Sequence, residues 1–279
     1  MWRTARGVRL LALPVCLVTC IGFSRSVPLS FASSLSRNGF RRTAALKRCA
    51  GMATSVTTPT TLTYFEGYGL AEQVRWMLAA AGIEWNQVAL QTHEEFLALR
   101  KEGKLLYGQL PLLEIDGLRL VQSQAMVRYV AQRGGLWGRT PAESAMVDIV
   151  AEGIRDARGP VVSFPFTSDQ KALADEIPFR VAKQLMPLEA YLQQKTDGSP
   201  FFLESGLSAA DVLLAEFLEE LIAIRAGSVA NYASCSALHK QITQLPGIQT
   251  YLKSPKRYPF PRGQVRDAYV KNVQAVLNR

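Results

Sequence analysis

The stretch QLPLLEIDGLRLVQSQ, residues 109–124, decides the fold class of this chain. Residues 112–115 form a short apolar strand, Asp116-Gly117 is a hairpin turn signal, and residues 118–121 can pair back as a second strand. Ser123 follows at once and can cap a helix with a broad apolar face. The stretch therefore predicts a β-hairpin that leads into a helix N-terminus.

The same stretch offers two groups that suit a peptide-like anion. If the peptide bond before Pro111 is cis, the N–H and C=O of Leu110 turn out of the sheet toward a ligand. A trans proline that simply begins a strand is equally compatible with the sequence. The helix N-terminus presents free backbone N–H groups, and Gln122 and Ser123 add side-chain donors for a carboxylate. An ordinary N-cap serine is the alternative.

Charge is distributed unevenly along the 279 residues. Residues 1–51 hold nine of the 32 basic residues and no acidic residue, so the other 23 basic residues match the 23 acidic ones. The formal net charge of +9 therefore belongs to the N-terminal segment, and no nucleic-acid partner is expected. A hydrophobic content of 48% and this length leave room for two globular domains.

Residues 1–51 are predicted to be a targeting leader, and residues 52–60 a short linker. The leader is rich in arginine and serine, and its apolar run at residues 10–23 is shorter than the about 20 residues of a membrane span. A signal followed by a plastid transit peptide is one interpretation, and a mitochondrial presequence is another. A third starts translation at Met52 and gives a cytoplasmic protein. The mature form is not expected to associate with membranes.

Cysteine and histidine usage predicts neither a disulfide nor a metal site. Cys235 is the single cysteine after residue 51, so it has no partner within the body of the chain. The two histidines, His93 and His239, are far apart in sequence, which gives little support for a zinc site.

Pattern and punctuation divide the body of the chain into two domains. Strands are predicted at residues 61–65 and 85–90 and helices at 71–81 and 94–100; with the hairpin and its helix, this order predicts a thioredoxin-like α+β domain over residues 61–134. An all-α domain is predicted over residues 141–279. Its helices are expected at residues 141–157, 169–194 with a break or kink at Pro178 and Pro187, 212–224 after a capping box at Ser208 and Asp211, 233–244, 248–253 and 264–277.

Gln109-Leu110-Pro111 followed by Gln122-Ser123 resembles the glutathione-binding half of a cytosolic glutathione S-transferase of the tyrosine type, which includes the alpha, mu, pi and sigma classes. The similarity runs from about residue 61 to the C-terminus and is strongest at residues 61–65, 75–82, 108–133 and 146–156. It implies a homodimeric detoxifying transferase that uses glutathione as co-substrate, needs no metal, and acts on hydrophobic electrophiles.

The resemblance implies that Tyr64, at the end of the first strand, is the catalytic residue. Its hydroxyl would hydrogen-bond to the glutathione sulfur and stabilise the thiolate, which is the attacking form of a thiol. A strand-end tyrosine that only packs over the hairpin is the alternative. Tyr68 and Leu70 stand where the family often carries arginines, so positive charge near the thiolate is reduced and activation rests more heavily on Tyr64.

Further contacts are implied position by position. Arg100 and Lys104 resemble the basic residues that meet the glycine carboxylate of glutathione. Asp156 resembles the acid that reaches across the dimer to the γ-glutamyl amine. Tyr107 resembles an aromatic residue that inserts into the partner subunit. Solvated surface charges and a half-buried loop tyrosine are the alternatives. The implied glutathione-binding residues are Tyr64, Arg100, Lys104, Gln109, Leu110, Pro111, Gln122, Ser123 and Asp156.

The second substrate is expected between the two domains, over Tyr64, in a mostly apolar pocket. Its expected lining is Tyr68, Leu70, Val161, Phe164 and Phe260. A sigma-like isomerase that uses glutathione transiently shares this site, and a non-catalytic carrier of glutathione or hydrophobic ligands shares the fold. Apolar walls accept many electrophiles, so the sequence leaves the natural substrate open, with peroxides among the possibilities.

Overall fold

The computed structural model describes residues 59–278, so the predicted leader and most of the predicted linker lie outside the described residues. The chain then forms a four-stranded sheet in the order β2-β1-β3-β4. β1 pairs parallel with β2 and antiparallel with β3, and β3 pairs antiparallel with β4. The strands are β1 Thr61–Phe65, β2 Asn86–Leu90, β3 Leu112–Ile115 and β4 Leu118–Val121.

Three helices complete this part of the chain: α1 Glu72–Ala80, α2 His93–Lys101 and α3 Ser123–Arg133. The predicted β3–β4 hairpin is present, and both turn residues, Asp116 and Gly117, have positive φ (51° and 77°), as a tight two-residue hairpin turn requires. The element order β-α-β-α-β-β-α confirms the thioredoxin-like prediction.

The prediction that Ser123 caps α3 is wrong. Gln122 is the N-cap residue and Ser123 is the first helical residue, with no side-chain capping hydrogen bond. The Ser123 hydroxyl instead accepts a hydrogen bond from Gln73 Nε2 at 3.1 Å. Gln73 belongs to the neighbouring helix α1, so a tertiary contact replaces the local cap.

The rest of the described chain is helical: α4 Pro141–Ala157, α5 Gly159–Ser163, α6 Gln170–Gln194, α7 Ala209–Ile224, α8 Ala233–Thr243, α9 Pro246–Leu252 and α10 Gly263–Leu277. This confirms the all-α prediction. Within residues 59–278, no helix combines the length and the apolar character that crossing a membrane requires.

Prolines interrupt α6 less than predicted, whereas α4 ends at Ala157 as predicted. Gly159-Pro160 begins α5, where a first-turn proline costs no intrahelical hydrogen bond. α6 continues through Pro178 and Pro187 without a break. Its buried face, which includes Ile177, packs against α4 and α7, and this tertiary packing outweighs the local cost of the prolines.

Helix α7 forms the centre of the helical part. The predicted capping box is present: Asp211 Oδ2 accepts from the Ser208 N–H at 2.8 Å, and Asp211 Oδ1 accepts from the Phe202 N–H at 2.8 Å. Burial raises the pKa of Asp211 to about 6, against the hydrogen bonds that lower it. The helix behind this cap is buried along nearly its whole length.

Helix α1 joins the two parts into one core. Residues from Glu72 to Ala79 are all buried, and the helix contacts α3 on one side and α7 and α9 on the other. A Cβ on Gly247 of α9 would overlap the carbonyl oxygen of Ala79, so this position has room only for glycine. The sheet and the helical part therefore form one compact unit.

Candidate active site

Tyr64 lies at the C-terminal end of β1 with 5% of its surface exposed. Its hydroxyl oxygen accepts a hydrogen bond from the Leu70 N–H at 3.1 Å. Burial raises the pKa of Tyr64, whereas hydrogen bonds from the Tyr269 hydroxyl and Leu70, together with the charge of Arg75, oppose this rise. Tyr64 is therefore protonated at neutral pH and able to donate a hydrogen bond.

The turn that follows β1 is fixed by Arg75, whose side chain is fully buried. The guanidinium donates to the carbonyl oxygens of Gly67 (3.0 Å) and Tyr68 (3.1 Å) and pairs with Glu72 at 3.0 Å. A side chain of α1 thus holds the backbone of this turn in place. Sequence reasoning missed this role because the three partners are fixed only in the folded turn.

The β3–β4 pairing brings the two halves of the predicted glutathione motif together. The Leu110–Pro111 peptide bond is cis, and the β1–β3 ladder includes Leu112 but not Leu110. Gln122 Nε2 donates to Gln109 Oε1 at 3.4 Å. Gln122 also has positive φ (70°), a strained conformation for a non-glycine residue that recurs at ligand-binding sites.

Gln73 extends this side from α1. Its Nε2 donates to Ser123 Oγ, and its Oε1 accepts from Gln124 Nε2 at 2.9 Å. Because the Ser123 oxygen already accepts, its hydroxyl proton is left to donate to a bound carboxylate. Sequence reasoning missed Gln73, whose position on α1, 50 residues before Ser123, carries no local signal.

The two predicted basic residues differ in their surroundings. Arg100 is exposed and lies beside Gly108, the residue that directly precedes the cis-proline segment. It makes no salt bridge within residues 59–278. The Lys104 ammonium group pairs with Glu102 at 3.1 Å and with Glu114 at 3.5 Å. Arg100 is therefore the better placed of the two to meet a ligand carboxylate.

The residues assigned to a subunit contact lie at the surface. Tyr107 is 62% exposed, and the Asp156 side chain is 66% exposed, with Arg155 at 3.6 Å. Such exposure is what a contact with a second subunit requires.

An apolar cavity of about 130 Å³ lies beside Tyr64, between the sheet part and the helical part. Tyr68, Leu70, Val161 and Phe260, four of the five expected lining residues, border it. The fifth, Phe164, lies behind the wall and packs against Phe260 with ring centroids 5.9 Å apart. Sequence reasoning missed Glu220, Tyr269 and Val273, because the remote helices α7 and α10 contribute them. It also missed sequence neighbours of the predicted site residues: Phe65, Gly69, Val162, Pro165, Phe166 and Pro261.

A buried charge cluster adjoins this cavity. The Arg158 guanidinium pairs with Glu216 and, at 2.6 Å, with Glu220, which also lines the cavity. Burial raises the pKa values of both carboxyl groups, and the charge of Arg158 opposes this effect. The Tyr68 hydroxyl is buried nearby and has no hydrogen-bond partner among residues 59–278. No group of three potential metal ligands occurs among the described residues.

Comparison with known proteins fits this architecture. The family described as glutathione S-transferase, N-terminal domain, matches residues 60–132, and the family described as glutathione S-transferase, C-terminal domain, matches residues 155–255. The first spans the sheet part with the cis-proline segment, and the second spans most of the helices that face it.

Individual relatives agree. Glutathione S-transferase alpha-5 of Rattus norvegicus is 34% identical over 203 residues, which are 71% of this chain and 91% of the relative. Glutathione S-transferase 3 of Gallus gallus is 34% identical over 220 residues, 77% and 93% of the two chains. The solved structure of the monomeric Na-GST-3 of Necator americanus superposes with a TM-score of 0.63 at 26% identity, covering 74% of this chain and all of that one. This chain belongs to the glutathione S-transferase family, as its sequence motifs predict.

Proposed function

We propose that this protein is a glutathione transferase in which the Tyr64 hydroxyl stabilises the glutathione thiolate. The observation that carries the proposal is the position of this hydroxyl. It is buried at the end of β1, held by the Leu70 N–H, and borders the apolar cavity on the side next to the cis-proline segment. The family assignment supports the transferase activity.

Glutathione would bind along the hairpin edge, with its cysteine backbone at Leu110, its γ-glutamyl carboxylate at Gln122 and Ser123, and its glycine carboxylate at Arg100. The thiol proton leaves to solvent, and the Tyr64 O–H donates to the resulting thiolate. The sulfur then forms a bond to an electrophilic carbon, and the leaving group departs with the electron pair of the bond that breaks. With a peroxide, the sulfur attacks one oxygen, and the other leaves with the electron pair of the O–O bond and takes a proton from solvent. A second glutathione thiol then attacks the sulfenic acid, which forms glutathione disulfide and releases water.

The cavity restricts the second substrate to small hydrophobic electrophiles, in keeping with a detoxifying role. Its walls are almost entirely apolar, and its volume of about 130 Å³ suits a single small ring or a short chain.

Two further features belong to this proposal. A homodimer is supported by the exposed Tyr107 and Asp156, which would insert into the partner and reach its glutathione, respectively. Delivery to a plastid or a mitochondrion is supported by the composition of residues 1–51.

The test is a pH titration of thiolate absorbance for glutathione bound to the full chain and to its Tyr64→Phe variant. The native protein is expected to lower the thiol pKa below the value of about 8.5 typical of a free thiol. Tyr64→Phe should bring it back toward that value and lower kcat/KM for an aryl halide at neutral pH about 10- to 100-fold, since a hydrogen bond to a charged group is lost.

Tyr129→Phe is the matched control. It removes a hydroxyl that donates to Asp116 at the hairpin turn, away from Tyr64, and should leave both quantities unchanged. Saturable glutathione binding without a pKa shift would favour the carrier instead. Turnover unaffected by Tyr64→Phe would refute the mechanism.

A further inference from the structure

Helix α10 is anchored across the end of the sheet where Tyr64 lies. Asn272 Oδ1 accepts from the Glu66 N–H at 2.8 Å, and Asn272 Nδ2 donates to the Leu90 carbonyl oxygen at 2.9 Å. One turn further on, the Val276 carbonyl oxygen lies 2.8 Å from His93 Nδ1. These contacts join α10 to β1, β2 and α2.

This anchoring places Tyr269 of α10 directly on the turn after β1. A Cβ on Gly67 would overlap the Tyr269 ring, and a Cβ on Gly69 would overlap the hydroxyl oxygens of both Tyr64 and Tyr269. The two hydroxyl groups are thus packed together against the same glycine. The two hydroxyl oxygens are therefore neighbours, and Tyr269 is buried, with 5% of its surface exposed.

The hydrogen-bond capacity of the Tyr64 hydroxyl determines what this contact does. A phenolic oxygen can accept as well as donate. The Leu70 N–H already donates to the Tyr64 oxygen. If the Tyr269 O–H donates to it as well, the remaining group that Tyr64 can offer is its own proton.

The proposed function sets the direction of a hydrogen bond between these hydroxyls. The Tyr64 oxygen accepts from the Leu70 N–H, and its own proton is directed at the glutathione sulfur. Tyr269 is therefore the member of the pair that donates. Burial raises the pKa of Tyr269, so its hydroxyl keeps the proton that it donates.

We propose that Tyr269 is a positioning residue: its hydroxyl donates to the Tyr64 oxygen and so directs the Tyr64 O–H at the glutathione sulfur. This inference rests on the proposed function of Tyr64. It also explains how the site works with Tyr68 and Leu70 in place of arginines, because a second buried donor stabilises negative charge at Tyr64 and thereby at the thiolate.

A double-mutant cycle on the full chain tests the proposal, with Tyr64→Phe, Tyr269→Phe and the double variant. The readouts are the pKa of the bound glutathione thiol and the pH profile of kcat/KM. Tyr269→Phe keeps the ring and removes one hydroxyl. It should raise the thiol pKa, move the acid limb of the profile to higher pH, and lower kcat/KM on that limb about three- to tenfold, with KM for glutathione unchanged.

In the Tyr64→Phe background, Tyr269→Phe should have no further effect, because its hydroxyl then has no oxygen to act through. Additive effects in the double variant would overturn the proposal. If Tyr64→Phe raises the thiol pKa and Tyr269→Phe does not, this inference alone is wrong. If Tyr64→Phe itself leaves the thiol pKa unchanged, the proposed function of Tyr64 is wrong, and the inference falls with it.

Asn272→Ala separates the hydroxyl from the docking of α10. It removes the three side-chain hydrogen bonds by which Asn272 anchors the same helix, and it keeps Tyr269. We expect lower thermal stability with a smaller rise in the thiol pKa than Tyr269→Phe produces. A rise in Asn272→Ala as large as that in Tyr269→Phe would assign the effect to helix docking and overturn the proposal.

Discussion

The two sides of the turn after β1 use opposite kinds of polar side chain. On the predicted glutathione side, Gln122 and Ser123 are uncharged, lie at or near the surface, and keep donors for a ligand. On the other side lie two buried ion groups: Glu72 with Arg75 on α1, and Arg158 with Glu216 and Glu220 in the helical part. The first side can therefore be altered at the expense of binding, whereas the second stabilises the fold.

The largest expected effect is the loss of stability on replacing Arg158 by methionine. This change leaves two carboxyl groups, Glu216 and Glu220, buried without their cation, and should lower the free energy of unfolding by about 3–5 kcal/mol. Urea denaturation measures the loss. The control is Arg155→Met, one helical turn away, whose exposed pairs should contribute at most about 1 kcal/mol. Equal losses in the two variants would contradict the contrast.

The same variant should show a characteristic pH dependence. Burial raises the folded-state pKa values of Glu216 and Glu220, so ionising these groups destabilises the folded state. The stability that their neutral forms contribute is present below the unfolded-state pKa near 4.5 and is lost as the pH rises above it. Removing Arg158 raises both pKa values further. The stability difference between native protein and Arg158→Met should therefore be larger at pH 8 than at pH 5.

Ser123→Ala tests the opposite side of the comparison. It removes the donor to the ligand carboxylate and should weaken glutathione binding about 10- to 100-fold, as expected for a hydrogen bond to a charged group. The free energy of unfolding should fall by at most about 1 kcal/mol, because Ser123 does not cap α3 and only its hydrogen bond from Gln73 is lost. Calorimetric titration with glutathione, beside urea denaturation, measures both. A large loss of stability with unchanged affinity would make Ser123 a structural residue.

Arg100 and Lys104 sharpen the comparison within the glutathione side. Arg100→Met should raise KM for glutathione about five- to tenfold, whereas Lys104→Met should change it less than about twofold, because Lys104 is already paired with Glu102 and Glu114. Steady-state kinetics with varied glutathione distinguish the two. A larger effect at Lys104 would reverse the assignment.

The smallest effect is expected at Tyr68. Its buried hydroxyl has no partner in the described part of the chain, so Tyr68→Phe removes an unsatisfied polar group and should leave stability unchanged or raise it by up to about 1 kcal/mol. Thermal unfolding measures the change. A marked destabilisation would show that the hydroxyl has a bound partner, such as a buried water.

Local signals in the sequence account for most of the fold. The Asp116-Gly117 turn and the Asp211 capping box depend on residues close in sequence, and both are present in the structure. The prediction that Ser123 caps α3 was wrong, because its hydroxyl accepts a hydrogen bond from a side chain 50 residues earlier. Capping rules consider only residues close in sequence, so they cannot predict a partner on a neighbouring helix.

The candidate site divides in the same way. The Gln109-Leu110-Pro111 and Gln122-Ser123 segments were predictable because one hairpin carries both. Tyr269, 205 residues after Tyr64, and the partners of Arg158 on α7 were not, because packing between distant helices creates these contacts. The predicted roles of Tyr107 and Asp156 involve a second subunit and stay predictions.

The burial of α1 limits how this chain can be taken apart. By sequence, α1 belongs to the glutathione-binding domain, yet it packs against α7 and α9, and Gly247 meets the backbone at Ala79. A fragment that ends near residue 134 would expose one apolar side of this helix to water and is expected to aggregate. A chimera that exchanges whole domains with a relative would therefore have to transplant α1 with its helical partners, and the modules suited to recombination are not those that the sequence motifs delimit.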